Sequence, residues 1–269
     1  IGGVFCYFSW KNMRPRPAMH DLPPGKSIWT IGFSQLATTI CEIRRDYPDV
    51  FIYLCGLVFW SSATEALFTV VIPYLTIQLR MGGMFTYFLL EVLFSFMIGA
   101  GLYPILAKRV GLSAALKIIL VLFATLDAVF PLVCNSPDDA GLAWIFGALI
   151  GIVMGLMFPA QRTMFYNIIP AGREAEMTGV YMFCLYVFGF LPTYIFYQVN
   201  EATNNLQYGF SALVIMYIIG LSILVFGGFD YERAKKKMES TLGNRYYVGA
   251  DGEVNKGGAD AGAGAGAGA

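Results

Sequence analysis

Six apolar runs, at residues 51–75, 84–106, 114–134, 141–160, 179–199 and 210–229, constrain this chain more than anything else in its sequence. Each is close to the roughly 17–25 residues that a helix needs to cross a hydrocarbon layer. A backbone in hydrocarbon has no water to bond, so every N–H and C=O must be satisfied inside one segment or in a closed barrel. Continuous apolar runs of this length point to helices. The expected fold is therefore all-α: a polytopic membrane protein with six transmembrane helices. Composition agrees, since 57% of the residues are hydrophobic and only 13% are charged, against about 25% charged in ordinary soluble domains. The connections "LRMGG", "KRVGLS", "NSPDDAG" and "NEATNNLQYG" are rich in the Gly, Pro, Asn and charge that turns require.

Charge placement gives a sidedness. If the spans alternate in direction, seventeen of the eighteen Lys and Arg residues fall on one face, and Arg80 alone falls on the other. Basic residues collect on the cytoplasmic side, so both ends of this segment are expected there. The chain then divides into residues 1–10, the end of a truncated transmembrane helix; 11–50, a cytoplasmic linker; 51–229, the six-helix half-bundle; and 230–269, a cytoplasmic, disordered tail ending in "GGADAGAGAGAGA". Within the linker, Trp29, Phe33, Leu36, Ile40 and Ile43 recur at helical spacing between a possible cap at Ser27 and the basic pair Arg44 and Arg45. That pattern predicts an amphipathic helix lying on the membrane surface or on the base of the bundle.

Several chemistries are excluded. A net charge of zero gives nucleic acid no basic face to bind. The five cysteines, Cys6, Cys41, Cys55, Cys134 and Cys184, are scattered without paired spacing, and the single histidine, His20, lies in the linker beside Asp21. Neither a metal centre nor a Ser/His catalytic pair can be assembled within the spans. No phosphate-loop motif is present, so no cofactor and no enzymatic activity are expected.

What the spans do carry is acid. Glu65, Glu91 and Asp127 interrupt otherwise apolar runs, and ionisable groups there are expensive and functional by default. Counting along alternating helices puts Glu65 somewhat past mid-membrane and the other two about two-thirds across. They are candidates for substrate or proton coupling, because a buried carboxyl can hold a proton near neutral pH. The alternative is a set of structural, hydrogen-bonded acids. Gly147, Gly151 and Gly155, at intervals of four, read as a packing stripe. Gly189 and Pro192 interrupt the fifth run as a bending point would. The turn "NIIPAGREAEMTGVYMF" concentrates Arg173, Glu174 and Glu176 just before an apolar run, with Arg162 upstream. Acids at a helix start meet the positive end of the dipole, so the four residues are either caps or a cytoplasmic gate of charges.

The stretch "FPAQRTMFYNIIPAGREAEMTGVY" and the linker "RPAMHDLPPGKSIWTIGFSQLATTICEIRR" resemble the autophagy-related vacuole effluxer family of the major facilitator superfamily, over nearly the whole chain to about Arg233. The resemblance implies two six-helix halves, of which this chain would be the C-terminal one. Its partners would be a small-molecule substrate, the lipid bilayer and the missing N-terminal half. It also implies that the first, second, fourth and fifth spans face a central cavity, which favours Glu65 and Glu91 over Asp127. One departure stands out: the superfamily's loop motif survives in "PILAKRVGLSA" only as Arg109 and Gly111, with Lys108 in place of Asp and Pro104 in place of Gly. The expected function is secondary transport, most simply amino-acid export from a vacuole by alternating access. The competing reading is a self-contained six-span binding or scaffold protein.

Overall fold

The computed structural model describes residues 7, 11, 28–170 and 173–246. The expectations for the first ten residues (Tyr7 aside), for His20 and Ser27, for the side chains of Trp29 and Phe33, and for the tail beyond 246 lie outside the described residues. The chain forms two units, residues 1–38 and 39–269. The described elements are helical, with no strand among the described residues. Helix α1 (Ile28–Asp46) is followed by α2 (Pro48–Pro73), α3 (Phe85–Val110), α4 (Leu112–Val133), α5 (Ala140–Ile168), α6 (Glu174–Tyr186), α7 (Phe190–Thr203), the short α8 (Leu206–Gly209), α9 (Ser211–Phe226) and α10 (Tyr231–Tyr246). Six segments are long and apolar enough to cross a membrane: Pro48–Gln78, Phe85–Val110, Leu112–Val133, Pro137–Ile168, Glu174–Thr203 and Leu206–Phe226. They correspond one to one with the six apolar runs.

Local chemistry sets the ends and breaks of these spans. Pro48 opens α2 at the first helical position and Asp49 follows in its first turn, a combination suited to a helix start. Gly111, at φ 84°, closes α3 after Lys108 and Arg109 and opens α4 at once, so the glycine retained from the loop motif is the hinge between two spans. Ser136 and Asp139 form a reciprocal capping box at the start of the fourth span.

Two spans are irregular, and prolines account for both. Pro73 has no N–H to donate, and the first span widens after it into a π turn, Tyr74–Gln78, closed by Leu79 N–H to Tyr74 C=O at 3.2 Å. In the fifth span, Pro192 leaves the Phe188 carbonyl without its regular partner, and Leu191 N–H takes it at 2.9 Å. Gly189 N–H bonds Tyr186 C=O at 3.1 Å in the same tight fashion, and the α-helix is interrupted between Tyr186 and Phe190.

Glycines set which spans touch most closely. A Cβ on Gly155 would meet the Phe96 carbonyl oxygen at 2.1 Å, one on Gly151 the Val92 carbonyl at 2.7 Å, and one on Gly147 the Phe88 ring at 2.6 Å. From the opposite side, a Cβ on Gly99 would meet the Ile152 carbonyl at 2.0 Å. The second and fourth spans therefore lie backbone against backbone, as small-residue ridges permit. Gly56 and Gly220 do the same for the first and sixth spans, each Cβ position falling about 3 Å from the other's carbonyl. Buried aromatic residues fill the rest, among them Tyr53, Trp60, Phe123, Phe165, Tyr181 and Tyr217.

Candidate functional site

The three intramembrane acids occupy three different environments. Glu65 is exposed on the first span, although Ser61, Ser62 and Thr64 beside it are buried. Those three hydroxyls are spent inside the bundle: Ser61 donates to Leu185 C=O at 3.2 Å, Ser62 to Val58 C=O at 2.6 Å and Thr64 to Trp60 C=O at 2.9 Å. Glu91 is half-buried, and its Oε2 lies 3.3 Å from where a Gly147 Cβ would stand. The absent side chain at Gly147 is thus what makes room for both Phe88 and the Glu91 carboxyl. Asp127 is 0% exposed, and neither of its oxygens has a hydrogen-bond partner among the described residues. Glu91 stands against the fourth span, Asp127 is enclosed by its neighbours and Glu65 looks outward, so the three do not converge as one carboxyl cluster.

The end of the bundle that carries the basic residues is held by ion pairs. Arg173, just before α6, donates through Nε to Glu176 at 2.8 Å and through Nη2 to Glu42 of α1 at 2.7 Å. Thr39 donates to Glu176 as well. Hydrogen bonding to Glu176 first, then to Glu42, pushes the Arg173 pKa above its ordinary value, so the guanidinium is a permanent cation shared by two carboxylates. All three side chains are roughly one-third exposed. Glu174 occupies the first turn of α6, and Arg162 is exposed near the end of α5 with no ion pair among the described residues.

A second tie lies on the other side of the same segment. Asp49, 4% exposed, receives Arg233 Nε at 2.8 Å and the Asp230 N–H at 3.1 Å. The hydrogen bond to Asp49 raises the Arg233 pKa. Lys237 donates to the Asp46 backbone carbonyl and lies 5.0 Å from the centre of the Tyr47 ring. Residues 39–49 are thus clasped from one side by the start of the fifth span and from the other by α10. Sequence reasoning missed Glu42, Thr39 and the Asp49–Arg233 pair. Asp49 precedes the apolar run and falls at the end of the expected linker, and its position behind Pro48 is the one sequence sign that it stands in the first turn of the span.

At the opposite end the ties among the described residues are apolar contacts and hydrogen bonds, and none of them is an ion pair. The Tyr74 hydroxyl donates to Cys134 C=O at 2.7 Å, and its ring packs edge-on against Phe210 with centres 5.0 Å apart. Phe130 and Phe196 complete the cluster. Gln78 donates to the Asn135 carbonyl at 2.8 Å and Gln207 to the Asn135 side chain, which ties the end of the first span and the start of the sixth to the loop before the fourth. Below this cluster, Leu67, Val71, Phe88, Val92 and Met154 line an apolar cleft that contains none of the three acids.

Comparison with known proteins gives the same direction. The family model described as "Vacuole effluxer Atg22 like" matches residues 3–239. The chain is similar to autophagy-related protein 22 of Kluyveromyces lactis, 24% identical over 204 residues that make up 72% of this chain and 40% of the relative. It is also similar to autophagy-related protein 22 of Candida glabrata, 25% identical over 199 residues, 71% of this chain and 36% of the relative. The chain therefore matches about two-fifths of the length of these relatives. No solved structure matches it.

Proposed function

The chain belongs to the vacuole effluxer Atg22-like family, and on that premise we propose that it forms the C-terminal membrane half of a secondary transporter. The transporter moves small solutes, amino acids first among them, out of a vacuole by alternating access. The remainder of a longer protein supplies the opposite wall of the path, and both ends of this segment face the cytoplasm.

The observation that carries this reading is Glu65. Its span is the one most enclosed by neighbours, yet this carboxyl projects outward near mid-membrane. A carboxylate facing lipid at that depth costs about 2.5–3.5 kcal/mol or more, whereas one facing a water-filled path costs little. The Glu65 face is therefore best read as a wall of the path, where the carboxyl binds a proton or a substrate ammonium group. Glu91 is the secondary candidate. At the basic end, the Glu42–Arg173–Glu176 set acts as a charge lock that breaks when the cytoplasmic mouth opens, with Arg162 and Glu174 at its edge. Gly189 and Pro192 supply the bend in the fifth span that such an opening needs.

The test is amino-acid transport by the full-length protein in vacuolar vesicles, with and without an imposed pH gradient. Glu65→Gln should remain inserted while gradient-dependent transport falls at least about tenfold, because an amide cannot gain and lose a proton. Unchanged gradient dependence and unchanged substrate affinity would return Glu65 to a structural role and remove the reading's main support.

A further inference from the structure

The apolar positions that make α1 amphipathic are not all covered. Ile43 is buried, but Ile40 beside it is only half-buried. With Phe51 and Val58 of the first span and Val180 and Cys184 of the fifth, they line a cavity of about 140 Å³. No lining side chain carries an oxygen or a nitrogen, so water entering the cavity finds no side-chain partner to hold it. Ile40, Phe51, Cys55 and Val58 are each partly exposed, so the cavity is reached from outside the bundle. Phe51 and Val58 follow Pro48, the first residue of the span, by one turn and three turns. That is about 5–15 Å along the helix, the depth of acyl chains in one leaflet of a hydrocarbon layer about 30 Å thick.

The mouth of the cavity is charged. The guanidinium carbon of Arg44 lies 6.0 Å from the centre of the Phe51 ring, and its charge reaches Cys55 inside. Arg44 is exposed and makes no ion pair among the described residues. The acids nearest to it in sequence are engaged elsewhere: Glu42 takes Arg173 at 2.7 Å and Asp46 takes Arg45 at 3.0 Å. A cation at the lip of a dry apolar cavity, at the level where head groups meet hydrocarbon, is complementary to an amphiphile with an anionic head. We propose that this is a binding site for one anionic phospholipid, with the phosphate on Arg44 and an acyl chain in the cavity between the first and fifth spans. A zwitterionic lipid offers the same chain without net charge, so Arg44 supplies the preference, about fivefold in occupancy for one basic side chain at a bilayer surface. Residues 39–49, already clasped by Arg173 and Arg233, thereby gain a third tie that depends on the composition of the membrane.

The site can be tested without any transported substrate, so its failure and the failure of the transport reading are distinguishable. The full-length protein is placed in phosphatidylcholine vesicles with a trace of phosphatidylserine that carries a diazirine on one acyl chain, and after illumination the labelled residues are mapped by mass spectrometry. Label should fall on residues 51–58 and 180–184, and unlabelled phosphatidylserine, but not additional phosphatidylcholine, should displace it. Arg44→Gln should lower that label about fivefold and leave unchanged the label at Ile215 and Ile218, which are exposed on the sixth span. Val58→Phe, which fills part of the cavity, should lower the cavity label with Arg44 still in place. Should either variant fail to insert, the competition in the unaltered protein decides alone. Equal cavity label from diazirine forms of phosphatidylserine and phosphatidylcholine would overturn the proposal. So would label at Ile215 and Ile218 with none at 51–58 or 180–184, which would show that another part of the protein covers the cavity.

Discussion

At the scale of single residues, the glycines of the second and fourth spans carry the sharpest consequence. Gly155 and Gly99 each leave space that a neighbouring carbonyl oxygen fills, and a carbonyl in a helix cannot move aside without carrying its backbone with it. Overpacking of this kind costs about 1–3 kcal/mol or more. Gly155→Val should therefore lower the thermal midpoint of the detergent-solubilised protein by several degrees, as followed by size-exclusion of a fluorescent fusion. Gly101→Ala, on the facing second span and with open space around its Cβ position, should leave it unchanged. Equal midpoints would mean that the two helices can part at little cost. The stripe at 147, 151 and 155 was legible because its spacing matches one face of a helix. Its partner Gly99 and the Gly56–Gly220 contact were not, since a lone glycine in an apolar run gives no sign of which carbonyl approaches it.

At the scale of elements, the segment from Thr39 to Asp49 binds together parts of the chain far apart in sequence. Asp49 is buried against Arg233, which is itself more than half exposed. Removing the arginine leaves the carboxylate, among the described residues, with the Asp230 amide as its hydrogen-bond donor and the more distant charge of Lys237. Arg233→Ala should cost about 1–3 kcal/mol, and adding Asp49→Asn should recover part of that loss, because an amide needs no counter-charge. A double-mutant cycle on thermal midpoints checks it; strictly additive losses would show that the two side chains do not depend on each other. The helical periodicity of the linker was visible beforehand, and so was the cluster of charge before the fifth span. What joins them was not, because an ion pair between positions 131 residues apart leaves no local pattern. The π turn after Pro73 was equally hidden: proline announces a break, but whether the chain widens, kinks or stops depends on what Tyr74 packs against.

At the scale of the whole molecule, the six spans were plain in the sequence because hydrocarbon imposes both length and apolarity, and those two properties survive any detail of packing. The acids fared differently. Their depth followed from counting, but whether each looks outward or is enclosed depends on helix rotation, which mixed apolar faces do not encode. Sidedness rests on the distribution of basic residues and is directly measurable. Single cysteines at Asp138 and Lys236 should be labelled by an impermeant maleimide from opposite sides of sealed vesicles, and labelling of both from one side would overturn the assigned orientation. The glycine contacts between the second and fourth spans also limit how the half-bundle can move. With backbones meeting at that depth, neither spacer side chains nor lipid tails intervene, so those two helices have few ways to shear and the third, joined to both in sequence, is tethered to them. A bend of the fifth span meets least backbone resistance around Val187–Gly189, where the regular hydrogen bonds are already lost.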